Sequence, residues 1–348
     1  MTNVTIDDTL LLDHPLKGSY KRCHTSSLAL PMSQHFLLSA PARTLSLAKV
    51  MRLTDAEAFE TFKQVRWPGG KPFCPRCGCV AVYEYKSRRL FKCKGCNAQF
   101  SVTTDTIFAS RKLPLRDLLA AIAICVNGAK GVSALQLSRD LDCQYKTSYV
   151  LCHKIREAIA AEMKGRTLEG QVEVDGAHFG GHVKPENRIE DRQDRRLLEN
   201  RSGKRRVVVV MRERNGKALP FVCFSESESV PTIRARVAKG STVYADESRA
   251  WDVLHTGYET KRINHKTAYS TPEASTNWAE SYFSRLRRAE IGTHHRIAGP
   301  YLGQYAAEMA WREDHRRLDN GSQYLLVAGA TMHHPVSRQW KGYWQRAA

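Results

Sequence analysis

Apolar residues follow no regular period over residues 1–48, and the first coherent pattern opens at Met51 in MRLTDAEAFETFKQVRWPGG. There Thr54 and Glu57 form a capping-box pair, and Phe59 and Phe62 follow at helical spacing. Residues 1–50 are therefore expected to be a disordered extension, or the product of an over-called translation start. Within FCPRCGCVAVYEYKSRRLFKCKGCNAQF, the segments AVYEY and RLFKC alternate like the arms of a hairpin. LPLRDLLAAIAICVNGAKG then sets Leu115, Leu118, Leu119, Ile122 and Val126 on one helical stripe, ended by Gly128 and Gly131. Next, Leu135, Leu137 and Leu141 precede a short turn, and Leu151, Ile155 and Ile159 follow it at four-residue spacing. That is helix, turn, helix.

From residue 170 the period changes to that of strands. QVEVDGAHFGG puts Val172 and Val174 on one face and Glu173 and Asp175 on the other. A polar stretch at 182–206 is expected to be an exposed insertion. RVVVVMRE and ALPFVCFSE are joined at Asn215-Gly216, a hairpin signal. A helix (VPTIRARVAKG), a strand ending at Asp246, a helix (RAWDVLHTG), a strand (YETKRINH) and the helix of ASTNWAESYFSRLRR complete the order. Acids on the first strand, at the end of the fourth and on a late helix would converge in an RNase H-like fold. Paired hard-oxygen sites for magnesium perform phosphodiester displacement with such residues.

Composition, 42% hydrophobic and 26% charged, is that of a globular protein with a real core. Charge is the outlier: 54 basic against 35 acidic residues give +19, which points to a polyanionic partner, nucleic acid first. The longest apolar run, LLAAIAICV, is half a membrane span. Asp7, Asp8 and Asp13 stand where a signal peptide would carry basic residues, so a cytoplasmic, nucleoid-associated protein is expected. In that compartment ten cysteines suggest metal ligands or buried thiols.

Cys74 and Cys77 form one C-x-x-C pair, and Cys93 and Cys96 form another after fifteen intervening residues. Two such knuckles make a closed four-thiolate site for structural Zn2+, though iron could take the same ligands and Cys79 is a fifth nearby thiol. Lys146, Thr147, Ser148 and Tyr149 open the second helix of the pair, where a recognition helix would meet DNA.

The blocks RWPGGKPFCPRCG, VEVDGAHFGG, VYADES, TNWAESYFSRLRRAEIGTHHRI and YLGQYAAEMAWREDHRR, in this order, resemble bacterial insertion-sequence transposases of the DDE class with an N-terminal zinc ribbon. The resemblance spans residues of about 52 to 317. It implies that Asp175, Asp246 and Glu280 are the catalytic acids, holding Mg2+ or Mn2+. It also implies that Arg285, Arg287 and Arg288 grip flanking phosphates, guanidinium being the better fork for them. His178, His265, His294 and His295 are read as surface or phosphate contacts. The implied activity is metal-dependent cleavage at the element's terminal inverted repeats and transfer of the 3′-hydroxyl to target DNA, by a homo-oligomer on DNA. Ser275 and Asp314 depart from the family pattern, which usually has His and Asn there. Two other classes remain open, a DNA-binding regulator on an inactive catalytic fold and an RNase H-like structure-specific nuclease.

The expected organisation is thus multidomain α+β. An extension at 1–50 precedes a zinc ribbon with its helix at 51–108 and a helix-turn-helix-like domain at 109–166. An RNase H-like α/β catalytic domain at 168–318 and a C-terminal tail at 319–348, with no membrane segment, complete it.

Overall fold

The computed structural model describes residues 36–85, 87–180, 188–193, 205–264, 274–297 and 299–345. The expected extension over 1–35 and most of the insertion at 182–206 lie outside the described residues.

Residues 36–50 are part of the fold, against expectation. Helix α1 (Leu47–Met51) buries Val50 and packs on α3 (Leu115–Asn127). Just before it, the Thr44 and Leu45 N–H groups donate to Asn320 Oδ1 at 2.9 and 2.8 Å. Helix α2 (Asp55–Arg66) opens with the capping box read from the sequence, Thr54 and Glu57 each bonding the other's backbone. It buries Phe59 and Phe62 against the ribbon, where Phe59 stacks on Phe91 at 5.9 Å between centroids. The ribbon itself is a three-stranded antiparallel sheet of β1 (Val82–Tyr85), β2 (Leu90–Cys93) and β3 (Gln99–Phe100).

Helices α4 (Ala134–Asp140) and α5 (Tyr145–Ala161) are the predicted pair, with Leu137, Leu141, Leu151, Ile155 and Ile159 buried and Leu135 half exposed. What they pack on was not foreseen. Helices α8 (Leu302–Asp314) and α9 (Asn320–His333) return from the far end of the chain, and both lie against α5. The segment read as a tail from 319 therefore opens with a core helix, burying Tyr324, Val327, Ala328 and Met332.

The second sheet has the order β6-β5-β4-β7-β8, from β4 (Gln171–Phe179), β5 (Arg206–Glu213), β6 (Ala218–Cys223), β7 (Thr242–Asp246) and β8 (Glu259–Ile263). Strand β5 is antiparallel to its neighbours, while β4, β7 and β8 run parallel. Strand β5 is apolar from Val207 to Met211 because both of its faces are buried there. Val207, Val209 and Met211 join a core with α6 (Val230–Arg236) and Trp251. Val208 and Val210 join the core of α7 (Asn277–Ala289), α8 and the helical layer. The period of two turns Val172 and Val174 of β4 to the first face, so Glu173 and Asp175 look toward α7.

Candidate active site and metal centre

In the ribbon, Cys74, Cys77, Cys93 and Cys96 bring their sulfurs within 4.8 Å of one another. The Cys74–Cys96 and Cys77–Cys93 Sγ separations are both 3.6 Å. A tetrahedron with Zn–S bonds of about 2.3 Å has edges of about 3.8 Å, so the set fits zinc. The Gly95 and Cys96 N–H groups donate to Cys93 Sγ at 3.3 and 3.4 Å. The Cys96 bond leads in pulling that thiol down to about 6, toward the thiolate a metal needs. Cys79 stands outside the set and packs beside Gly95, where a Cβ would meet its sulfur at 3.2 Å.

In the second sheet, parallel pairing aligns Glu173 with Tyr244 and Val174 with Ala245. The same register carries Asp175 beside Asp246 on adjacent strands, about 4.8 Å apart in backbone spacing. Glu280 lies in the first turn of α7. What brings that turn to the strands is Glu173, fully buried. Its Oε2 accepts from the Trp278 and Ala279 N–H groups at 2.8 and 3.1 Å, a carboxylate cap on the positive end of the helix. Its Oε1 accepts from Arg214 Nε at 3.0 Å, and Arg214 Nη2 donates to Ser275 O and Oγ, both at 3.0 Å. Ser275, one departure from the family pattern, thus belongs to the clamp that seats α7. Asp314, the other, accepts from Arg166 Nη1 at 2.6 Å and Ala218 N at 2.8 Å, tying α8 to the start of β6.

Electrostatics mark the same spot. Burial, then the charges of Asp246, Glu280 and Glu226, push Asp175 up to about 7 against the Gly176 N–H bond that favours its ionised form. Asp246 Oδ1 is held by Trp251 Nε1 at 2.7 Å and Ser248 N at 3.1 Å. Glu226 is the member that sequence reasoning missed. Its Oε2 accepts from Ser248 Oγ at 2.8 Å, and a Cβ at Gly176 would lie only 2.7 Å from its Oε1. Glycine beside Asp175 is the notch that admits this fourth carboxylate, and DG followed by a later acid was the available signal. The carboxylates do not form a closed cage: among the described residues only the four cysteines meet within 4.8 Å. An open group of hard oxygen donors fits magnesium, which keeps several waters, better than zinc.

The arginines of α7 separate. Arg285 Nη1 lies 2.6 Å from Glu313 Oε1, a buried carboxylate that also accepts from Arg212 Nη1 at 3.0 Å. Arg287 and Arg288 are exposed. Arg287 is seven residues beyond Glu280, hence on the same helix face about 10 Å along. At the start of α5, Lys146 is exposed and Thr147 half-buried. Ser148 is fully buried, its hydroxyl donating to Ala134 O at 2.8 Å and Tyr145 O at 2.9 Å, so the surface contact expected of it is not available. Tyr149 is packed among Tyr301, Trp340, Tyr343 and Trp344, which leaves it half-buried. His178 and His295 are exposed, His294 packs on Tyr305 at 4.7 Å, and His265 lies outside the described residues.

Residues 167–314 match the ISXO2-like transposase domain, a DDE family, and residues 53–99 match the transposase zinc-ribbon domain. The chain carries an ISXO2-like transposase domain preceded by a transposase zinc ribbon. A relative described as an uncharacterized protein in transposable element ISH50, from Halobacterium salinarum, is 27% identical over 275 residues, 75% of this chain and 92% of the relative. No solved structure matches. The ribbon match covers all four cysteines, and the transposase match runs from just before β4 through α8, so it takes in the acids, the Glu173 clamp and Asp314. No helix among the described residues of the transposase is long and apolar enough to cross a membrane.

Proposed function

We propose that this transposase binds the terminal inverted repeats of its element, cuts the DNA there and joins the 3′-end to a target, with Asp175, Asp246 and Glu280 as the catalytic acids. One observation carries the reading: the β4–β7 register and the Glu173 cap bring the three acids to one end of the sheet. The sheet order, with its second strand antiparallel and acids on the first strand, the fourth strand and helix α7, supports an RNase H-like catalytic fold.

The three carboxylates would hold Mg2+ or Mn2+, with Glu226 beside them. When bound, paired ions of this kind activate an attacking oxygen and stabilise the leaving one. The chain's own part is to orient. Trp251 and Ser248 fix the Asp246 carboxylate, and the buried Glu173–Arg214 pair fixes the helix that presents Glu280. Arg287 and Arg288 grip the phosphates flanking the scissile one, while Arg285 braces α7 on α8 through Glu313. The ribbon, with Lys146 and Thr147 on the first turn of α5, recognises the ends, which a homo-oligomer pairs.

The DNA on either side of the gene supplies the test. Matched inverted repeats bounded by a short direct duplication are expected, and a duplex carrying them should be cut only with Mg2+ or Mn2+. Binding without metal-dependent cutting would make the protein a regulator. Cutting of branched or hybrid substrates regardless of end sequence would make it a structure-specific nuclease.

A further inference from the structure

The C-terminal segment after α9 builds a second site far along the chain from the acids. Trp340 anchors it, fully buried and stacked on His153 of α5 at 4.3 Å and 19°. Ser337 ties it further, its hydroxyl donating to Glu157 Oε2 at 2.6 Å and accepting from Trp340 N at 2.9 Å. The chain turns at Gly342 with φ +61° and presents Tyr343 and Trp344 over the start of α5. Trp344 Nε1 donates to Lys146 O at 3.2 Å, Lys146 Nζ sits 5.4 Å from the Trp344 ring, and that ring stays 48% exposed.

These groups wall a cavity of about 740 Å³ between the C-terminal segment, α5 and the linker at 108–113. Its floor is apolar, from Phe108, Leu113, Leu118, Val150 and Leu151. Its charged lining is Arg111, Lys112, Lys146, Lys154 and Lys341, with no acid among the lining residues. Burial lowers the pKa of Lys154, which only Glu157 opposes, and that of Arg111, which only Asp55 opposes. Neither makes an ion pair of 4 Å or less among the described residues. Half-buried Lys154 gains most from an anion in the hollow, while Arg111, exposed and with its Nη1 donating to Leu113 O at 2.6 Å, adds a second positive charge to the lining.

We infer that this cavity takes a short single-stranded segment of DNA, one or two unpaired nucleotides whose bases stack on Trp344 while their phosphates meet Lys146, Lys154 and Arg111. A duplex backbone offers phosphates and sugar edges and has no use for an apolar floor and an exposed indole. A strand with free bases uses both, because every base has a face to stack. An acidic peptide would satisfy the cations but leave the aromatic wall unused. The inference rests on the reading of the protein as a DNA-processing transposase, in which ends are opened and rejoined, and it gives a role to the segment the sequence left without one.

The test uses the full chain with a fluorescent twelve-residue oligothymidylate and a blunt duplex of random sequence. Wild type is expected to bind the oligothymidylate, and Trp344→Leu to weaken it by roughly 5- to 100-fold, the loss of about one stacked base, while duplex affinity changes less than twofold. Lys154→Gln should lower the slope of log affinity against log salt by about 0.7, one phosphate contact on a single strand. Equal oligothymidylate binding by wild type and both variants overturns the proposal, as does displacement of the oligothymidylate by polyglutamate with loss of the Trp344 effect. Asp175→Asn separates the two readings. If it binds the oligothymidylate like wild type but wild type itself shows no metal-dependent cutting, the catalytic reading fails alone. If wild type cuts and joins ends while Trp344→Leu binds the oligothymidylate normally, the cavity reading fails alone.

Discussion

Replacing Glu173 should separate folding from catalysis. Its carboxylate accepts three hydrogen bonds in a fully buried position, two from the first turn of α7 and one from Arg214. Glu173→Ala strands two backbone N–H groups and unpairs a guanidinium. Charge-assisted bonds contribute about 1.5–3 kcal/mol each, but the three share one carboxylate and do not add. The closer measure is a buried pair broken from one side, which costs about 3–5 kcal/mol. At about 2 °C per kcal/mol for a domain of this size, thermal unfolding should fall by about 6–10 °C. Glu173→Gln keeps the volume and one acceptor, which can serve the helix or Arg214 but not both, and should cost about 1–2 kcal/mol. That variant stays folded with its three catalytic acids intact, yet the turn carrying Glu280 loses its fixed seat. Its metal-dependent cutting rate should drop about 10- to 100-fold, the scale of a 1 Å misplacement, with DNA affinity unchanged. Calorimetry, a filter-binding assay and single-turnover cutting of an end duplex read the three quantities. A Glu173→Gln protein that cuts at the wild-type rate would refute the clamp, as would a Glu173→Ala protein with an unshifted melting temperature.

Arg287→Ala should weaken end binding several-fold and reduce its salt dependence by about one unit with stability unchanged. Arg285→Ala should do the reverse, lowering stability through the buried Glu313, and a filter-binding titration beside a denaturation curve distinguishes them. Metal analysis of the denatured protein should return one zinc per chain, and a strong chelator should unfold the ribbon while the second sheet persists. Circular dichroism and limited proteolysis between residues 70 and 105 would report this. Burial would raise the Glu308 pKa, but Arg156 and Arg312 outweigh it and hold the carboxyl down at about 2. A lowered folded-state pKa stabilises fully above the ordinary value near 4.5 and is lost as pH falls from there toward 2. Glu308→Gln should therefore destabilise at neutral pH, with its deficit against wild type shrinking over that window in urea titrations.

Local signals carried far. Thr54 and Glu57, the paired C-x-x-C knuckles and the alternation around Asp175 each depend on neighbours in sequence, and each stands where the pattern put it. The strand and helix order from 171 to 289 was legible for the same reason. What escaped depends on contacts between distant segments. NGSQYLLVAGATMH has no single apolar stripe because α9 is packed against α2, α3 and α5 at once. Ser148 sits at a position that a recognition helix would expose, but Ala134, fourteen residues earlier, takes its hydroxyl. Three arginines on one helix looked alike until Glu313 claimed one of them. Glu173 was legible as a polar strand residue, but its task appears only when α7 arrives 105 residues later. Glu226 joins the acids only through the notch at Gly176 and the hydroxyl of Ser248.

Strand transfer by single-carboxylate variants reads the role of Asp175, Asp246 and Glu280 without intermediary. Asp175→Asn, Asp246→Asn and Glu280→Gln, each purified and matched to wild type in melting temperature and end binding, would be given pre-cut element ends and a target plasmid with Mg2+. Wild type should give joined product, and every variant should lose at least about 1000-fold, the scale of removing one charge-stabilising group from an active site. Wild-type joining by any one of the three variants would remove that residue from the site and refute its catalytic role.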